Sequence, residues 1–103
     1  MEWVEFIKLQ APEAQEEEVT QEIGNLSELL RRTAGLVEFG VFGHASIHGD
    51  FAILLSWDTD HPQIEGSSVA LSLTEALKKF GLVDYSAWIR RENTNSLLGL
   101  NSV

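Results

Sequence analysis

Residues 30–39 read Leu-Arg-Arg-Thr-Ala-Gly-Leu-Val-Glu-Phe, and residues 77–85 read Leu-Lys-Lys-Phe-Gly-Leu-Val-Asp-Tyr. Both stretches run from a basic pair through a glycine to Leu-Val-acid-aromatic. A basic pair suits the last turn of a helix, where the macrodipole favours cations. Glycine suits the left-handed stop behind it, and β-branched and aromatic residues suit a strand. The chain therefore repeats one helix-to-strand junction, and building outward from the two copies gives two β-α-β halves.

In the first half, Trp3 to Leu9 is rich in strand formers, and Pro12 suits a helix start. Val19, Ile23, Leu26 and Leu30 follow helical spacing and predict a helix to about Thr33. Gly24 inside it costs ~1 kcal/mol relative to alanine, which a close packing contact would justify. Gly35 ends the helix, and Leu36 closes the cap. Strand two is expected from Val37 to about His48, a two-residue turn at Gly49-Asp50, and strand three from Phe51 to Trp57. A polar loop, Asp58 to Gly66, leads to a second helix capped by Ser67 or Ser68. Val69, Leu73, Ala76, Leu77 and Phe80 form its buried stripe, and Gly81 ends it with Leu82 repeating the role of Leu36. Strand four runs from Val83 to about Arg91.

The order β-α-β-β-α-β predicts an α+β, ferredoxin-like fold: a four-stranded antiparallel sheet with two helices on one face. A chain of 103 residues is one domain, expected over 1–91, with a C-terminal tail at 92–103 around Leu-Leu-Gly-Leu. With no cysteine, disulfides and thiolate chemistry are excluded. Met-Glu-Trp-Val-Glu-Phe is not a signal peptide, and no run approaches the ~18 apolar residues of a membrane span, so the chain reads as cytoplasmic. A net charge of -9 argues against nucleic-acid and membrane-surface partners.

If Gly49-Asp50 is the turn, His48 lies opposite Phe51, Ser46 opposite Ile53, His44 opposite Leu55 and Phe42 opposite Trp57. The face without helices would then carry Phe42, Phe51, Ile53, Leu55 and Trp57, joined by Asp84, Ser86, Trp88 and Arg90 from strand four. So apolar a face marks an interface, and a second copy is the expected cover.

Three segments carry a family resemblance: Gly-Leu-Val-Glu-Phe at 35–39, Phe-Ala-Ile-Leu-Leu-Ser-Trp at 51–57 and Gly-Leu-Val-Asp-Tyr-Ser-Ala-Trp at 81–88. On these, residues 3–91 resemble the dimeric α+β barrel superfamily. It includes antibiotic-biosynthesis-monooxygenase-like and stress-responsive A/B-barrel proteins. The resemblance implies a homodimer with facing sheets, and a pocket beside each sheet or inside the barrel. Its members include cofactor-independent oxygenases, haem-degrading enzymes, isomerases and decarboxylases, so the fold alone decides little about chemistry.

Candidate site residues follow from the expected face. Phe42, Leu55, Trp57 and Trp88 would line a site for a small apolar or aromatic ligand, with His44 as its one polar group and the best catalytic candidate. The alternative for His44 is a histidine satisfied by neighbours at a dimer interface. His44 and His48 would stand ~13 Å apart along a strand, too far to share a metal, so no metal and no cofactor are expected. Glu38 and Asp84 occupy equivalent places in the two halves and suit salt bridges to Arg90 or Arg91 of a second copy. Asp58 to His61 reads as a solvated loop, and Gly66-Ser67-Ser68 as a helix cap or an anion site. The leading expectation is a homodimer that binds an apolar ligand. A cofactor-independent oxygenase acting on an aromatic substrate and a structural dimer without ligand remain open.

Overall fold

The computed structural model describes residues 1–91, so the tail expected at 92–103 lies outside the described residues. Its elements are β1 (Glu2–Gln10), a 3-10 turn (Glu13–Gln15), α1 (Glu16–Arg31), β2 (Leu36–Gly43), β3 (Asp50–Asp58), α2 (Ser68–Leu77) and β4 (Leu82–Ile89). The strands form one sheet in the order β2-β3-β1-β4, with every neighbouring pair antiparallel. This is the βαββαβ topology read from the duplicated junction.

Alternation along β1 sets the layers. Trp3, Glu5, Ile7 and Leu9 are buried, whereas Val4, Phe6 and Lys8 point the other way and are less covered. The buried set joins Ile53, Leu55 and Trp57 of β3 to Val19, Ile23 and Leu30 of α1 and Val69, Ala70, Leu73 and Leu77 of α2 in one core. Both helices therefore cover the same face of the sheet. No helix among the described residues is long and apolar enough to cross a membrane.

The two look-alike glycines are required for different reasons. Gly35 has φ 85°, the left-handed stop expected after α1. Gly81 is not left-handed. It is needed because a Cβ there would run into the backbone carbonyl of Gln10. The leucines that follow differ too: Leu36 is half-buried against the core, while Leu82 is 74% exposed and closes no cap.

The largest correction concerns the β2–β3 connection. β2 ends at Gly43, which pairs with Phe51 where a tight turn would put His48, a slip of five residues. An odd slip exchanges the two faces of a strand. Phe51, Ile53, Leu55 and Trp57 therefore point toward the helices, and Ala52, Leu54 and Ser56 toward the open face. The cause is a closed loop over residues 44–49. The His44 Nδ1 accepts the Ser46 and Ile47 backbone N–H groups at 3.1 and 3.0 Å, and the His44 N–H donates to the Asp50 carbonyl at 2.9 Å. Burial favours the same register, because the bulkier side chains of β3 go under the helices.

Candidate functional site

β1 is a central strand, so an inward side chain halfway along it is sealed by both layers. That position holds Glu5, which is 0% exposed. An unpaired buried carboxylate is strongly disfavoured, and here four donors converge on it. Oε1 accepts the Trp57 indole N–H at 2.7 Å and the Ser67 hydroxyl at 2.7 Å. Oε2 accepts the Ser67 backbone N–H at 2.9 Å and the Tyr85 hydroxyl at 2.5 Å. A carboxylate offers about four lone-pair positions, and all are taken. Burial, and then the hydrogen bond and charge of Glu5, push the Tyr85 phenol well above the ordinary tyrosine range. Tyr85 is thereby held as a donor.

This network ties three strands to one helix end. Ser67 is the N-cap of α2: its Oγ accepts the Ala70 N–H at 3.1 Å while donating to Glu5. The helix terminus that would otherwise attract an anion already has one, supplied by β1.

Beside the network lies a small, partly open cavity of about 170 Å3, lined by Trp3, Thr33, Ala34, Trp57, Thr59, Gln63, Ser67 and Ser68. Trp3 and Trp57 are stacked, with ring centroids 5.6 Å apart and planes at 16°. Neither indole is free to turn. Trp57 is bonded to Glu5, and the Trp3 N–H donates to Thr59 Oγ1 at 2.8 Å, whose hydroxyl donates on to the His61 carbonyl at 2.8 Å. No charged side chain lines this cavity.

Two more open grooves, of about 430 and 360 Å3, lie at opposite ends of the sheet. The first has Glu2, Val4, Val37, Trp88, Arg90 and Arg91 in its wall. The second has Lys8, Phe42, His44, Ile47 and Asp50. Between them the open face carries Val4, Phe6, Ala52 and Leu54, all half-buried, with Phe42 and Trp88 more than half exposed.

The five residues expected to line one site are dispersed. Leu55 is sealed in the core. Trp57 is buried on the helix side, at the edge of the small cavity. Phe42 and Trp88 do share the open face but border different grooves, and His44 is an exposed loop residue beside Phe42. Glu38 and Asp84 fall on the two edge strands, and Arg90 pairs with Glu2 of its own chain. His48 faces Glu16 at 3.7 Å. Among the described residues, no group of three or more His, Asp or Glu is placed to hold a metal ion. Sequence reasoning missed Glu5, Ser67 and Tyr85 as a unit. The signal was the alternation Trp3-Glu5-Ile7-Leu9, which puts one acid on an otherwise apolar face.

No protein-family model matches the sequence, and no curated protein does. Solved structures do match. A conserved protein from Methanosarcina mazei Go1 superposes with a TM-score of 0.72 at 14% identity, covering 88% of this chain and 94% of that one. A proposed antibiotic biosynthesis monooxygenase from Deinococcus radiodurans gives 0.72 at 18% identity, over 90% and 96%. At these identities the likeness is one of fold: a four-stranded antiparallel sheet with two helices on one face. A point mutant of SnoaB, a cofactor-independent oxygenase from Streptomyces nogalater, shares the fold with a TM-score of 0.65 at 15% identity, over 90% and 96%. Against that fold, the chemistry open to this chain lies in its own side chains: a rigid indole pair, a saturated carboxylate, and hydroxyl and amide groups at the cavity mouth.

Proposed function

We propose that this chain is a cytoplasmic, homodimeric enzyme of the cofactor-independent oxygenase kind, acting on a one-ring aromatic molecule in the cavity beside the α2 N-terminus. The observation that carries this reading is the stacked Trp3–Trp57 pair, both indoles fixed by hydrogen bonds, at the floor of a partly open cavity without charged side chains. A dry cavity of ~150 Å3 is known to take benzene, so this one suits a single substituted ring. SnoaB, a cofactor-independent oxygenase, has this fold, which makes oxygenation one of the chemistries the fold can host. In such a reaction an electron-rich ring supplies the electrons to dioxygen. The protein's part is to hold the ring and exclude water. A second copy covering Val4, Phe6, Leu54, Phe42 and Trp88 would bury apolar area at roughly 25 cal/mol per Å2.

A second reading, binding without turnover, is favoured by Glu5. Its lone pairs are filled by Trp57, Ser67 and Tyr85, so it has no position free to take a proton from a ligand. Native mass spectra of the purified protein, followed by dioxygen uptake with pyrogallol as probe, separate the readings. A dimer with uptake above the buffer background, lost in Trp57→Ala, supports the oxygenase. A dimer carrying an aromatic mass without uptake supports binding alone. A monomer with neither sinks both.

A further inference from the structure

We propose that the cavity selects its ligand by charge, accepting a neutral hydroxyl-bearing ring and rejecting the same ring bearing a carboxylate, with Glu5 as the residue that sets this selectivity. The inference rests on the cavity reading above and adds the ligand class.

Free N–H groups and the macrodipole ordinarily make a helix N-terminus an anion site. The cavity is lined by Ser67 and Ser68, the N-cap and first residue of α2, so an aromatic carboxylate would be its natural guest. The chain forecloses this from the protein side. Glu5 Oε2 takes the Ser67 N–H at 2.9 Å, and Oε1 takes the Ser67 hydroxyl at 2.7 Å. The Ser67 N–H and hydroxyl at the positive end of α2 are thus committed to an internal carboxylate that is 0% exposed. Among the described residues that carboxylate has no cation partner, because all its contacts are neutral donors. Those donors offset its charge only in part, so the cavity next to it sits in a weakly negative field. The chain's net charge of -9 adds to that field.

The lining offers an incoming anion no compensation. It has no Lys, Arg or His, so a carboxylate stripped of water there would meet neutral donors without a counter-charge and would be repelled by Glu5. What it does offer is neutral. Among the described residues the Gln63 amide and the Ser68 hydroxyl line the mouth without side-chain hydrogen-bond partners, and together they can donate and accept. Those are the two demands of a phenolic hydroxyl. The Trp3–Trp57 pair, itself almost fully buried, supplies the apolar floor.

The experiment follows the indole N–H resonances of Trp3 and Trp57 while phenol, benzoate or benzylamine is added to the wild-type protein at neutral pH. Phenol is expected to shift both in a saturable way, with benzoate at least about tenfold weaker. Gln63→Lys, a change in the exposed loop at the cavity mouth, is expected to narrow or reverse that ratio by giving the carboxylate a partner. Glu5→Gln is expected to narrow it as well if the variant folds. Benzoate binding as tightly as phenol to the wild type would overturn the charge selectivity while leaving the cavity standing. An unchanged ratio in Gln63→Lys would overturn the selectivity too. No response to any of the three probes would overturn the cavity reading itself.

Discussion

The two helices begin in opposite ways. α1 follows Gln15, which makes no side-chain cap, and crowds Glu16, Glu17 and Glu18 into its first turn. α2 has no acid in its first turn. It is capped by Ser67 and receives its carboxylate from Glu5, a residue 62 positions earlier in the chain. Both arrangements place negative charge at a positive helix end. They differ in solvent. Glu17 and Glu18 are exposed, so each contributes at most ~1 kcal/mol, reduced by salt. Glu5 is sealed, and its removal strands the Trp57 and Ser67 donors away from water. The same electrostatic rule is a small adjustment at one end of the molecule and a structural requirement at the other.

The sharpest way to break this comparison is to delete both carboxylates in turn. Glu5→Ala is expected to destabilise the fold by ~3–5 kcal/mol, because the Trp57 and Ser67 donors stay buried without an acceptor. Glu17→Ala should stay within ~0.5 kcal/mol. Urea unfolding of the two variants measures the difference, and equal losses would mean that burial does not separate the two helix ends.

Next in size is Ser67→Ala. It removes the cap of α2 and one donor to Glu5 but leaves the Ser67 backbone N–H in place. A loss of ~2 kcal/mol in the same assay is expected. A loss as large as that of Glu5→Ala would place the weight of the network on the cap rather than on the carboxylate.

This contrast also explains how much could be read in advance. Helical spacing and Leu-Val-acid-aromatic runs act within a few residues of themselves, so α1, α2 and the order of the strands were legible, although Lys78 and Lys79 fall beyond the last turn of α2 and Gly81 is not its left-handed stop. Ser67 as a cap belongs to the same class. The register of β2 against β3 was not legible. Gly49-Asp50 has the chemistry of a tight turn, but the connection is a longer loop closed by the His44 ring, and the odd slip moved Leu55 and Trp57 into the core. The Glu5 network draws on positions 5, 57, 67 and 85, so only the folded sheet brings it together. Alternation in β1 could place Glu5 inward, but nothing local names its donors.

Alkaline pH sharpens the comparison without a mutation. The Tyr85 pKa is raised in the folded protein, first by burial and then by Glu5. Below about pH 10 the phenol keeps its proton folded or unfolded, and its contribution to stability is fully present. Above that, the unfolded chain gives up the proton while the folded one holds it, so stability falls as pH rises. Tyr85 is the chain's single tyrosine, which makes the tyrosinate ultraviolet band a clean reporter. The band is expected to stay absent past pH 10 and to appear together with unfolding. Titration at the ordinary tyrosine value in a folded protein would show that the bond to Glu5 does not form.

The smallest expected effect lies in α1 and has the opposite sign. Gly24 sits in the interior of this helix, and a Cβ placed there meets nothing within 4 Å. The close packing contact that would justify a glycine is therefore absent among the described residues. The Ser27 hydroxyl bond to the Gly24 carbonyl does not depend on the missing side chain. Gly24→Ala should accordingly stabilise the fold by ~0.5–1 kcal/mol, chiefly by restricting the unfolded chain. Its melting temperature should rise by about 4 °C. Hydrogen exchange shows where the gain falls: the amides of α1 should slow, and those around Ser67 should not. A variant that instead loses stability or falls from dimer to monomer would mean that a second copy packs closely on the outer face of α1. The exposed helix end would then be the one shaped by an interface, and the contrast between solvated and sealed carboxylates would no longer hold in the assembled protein.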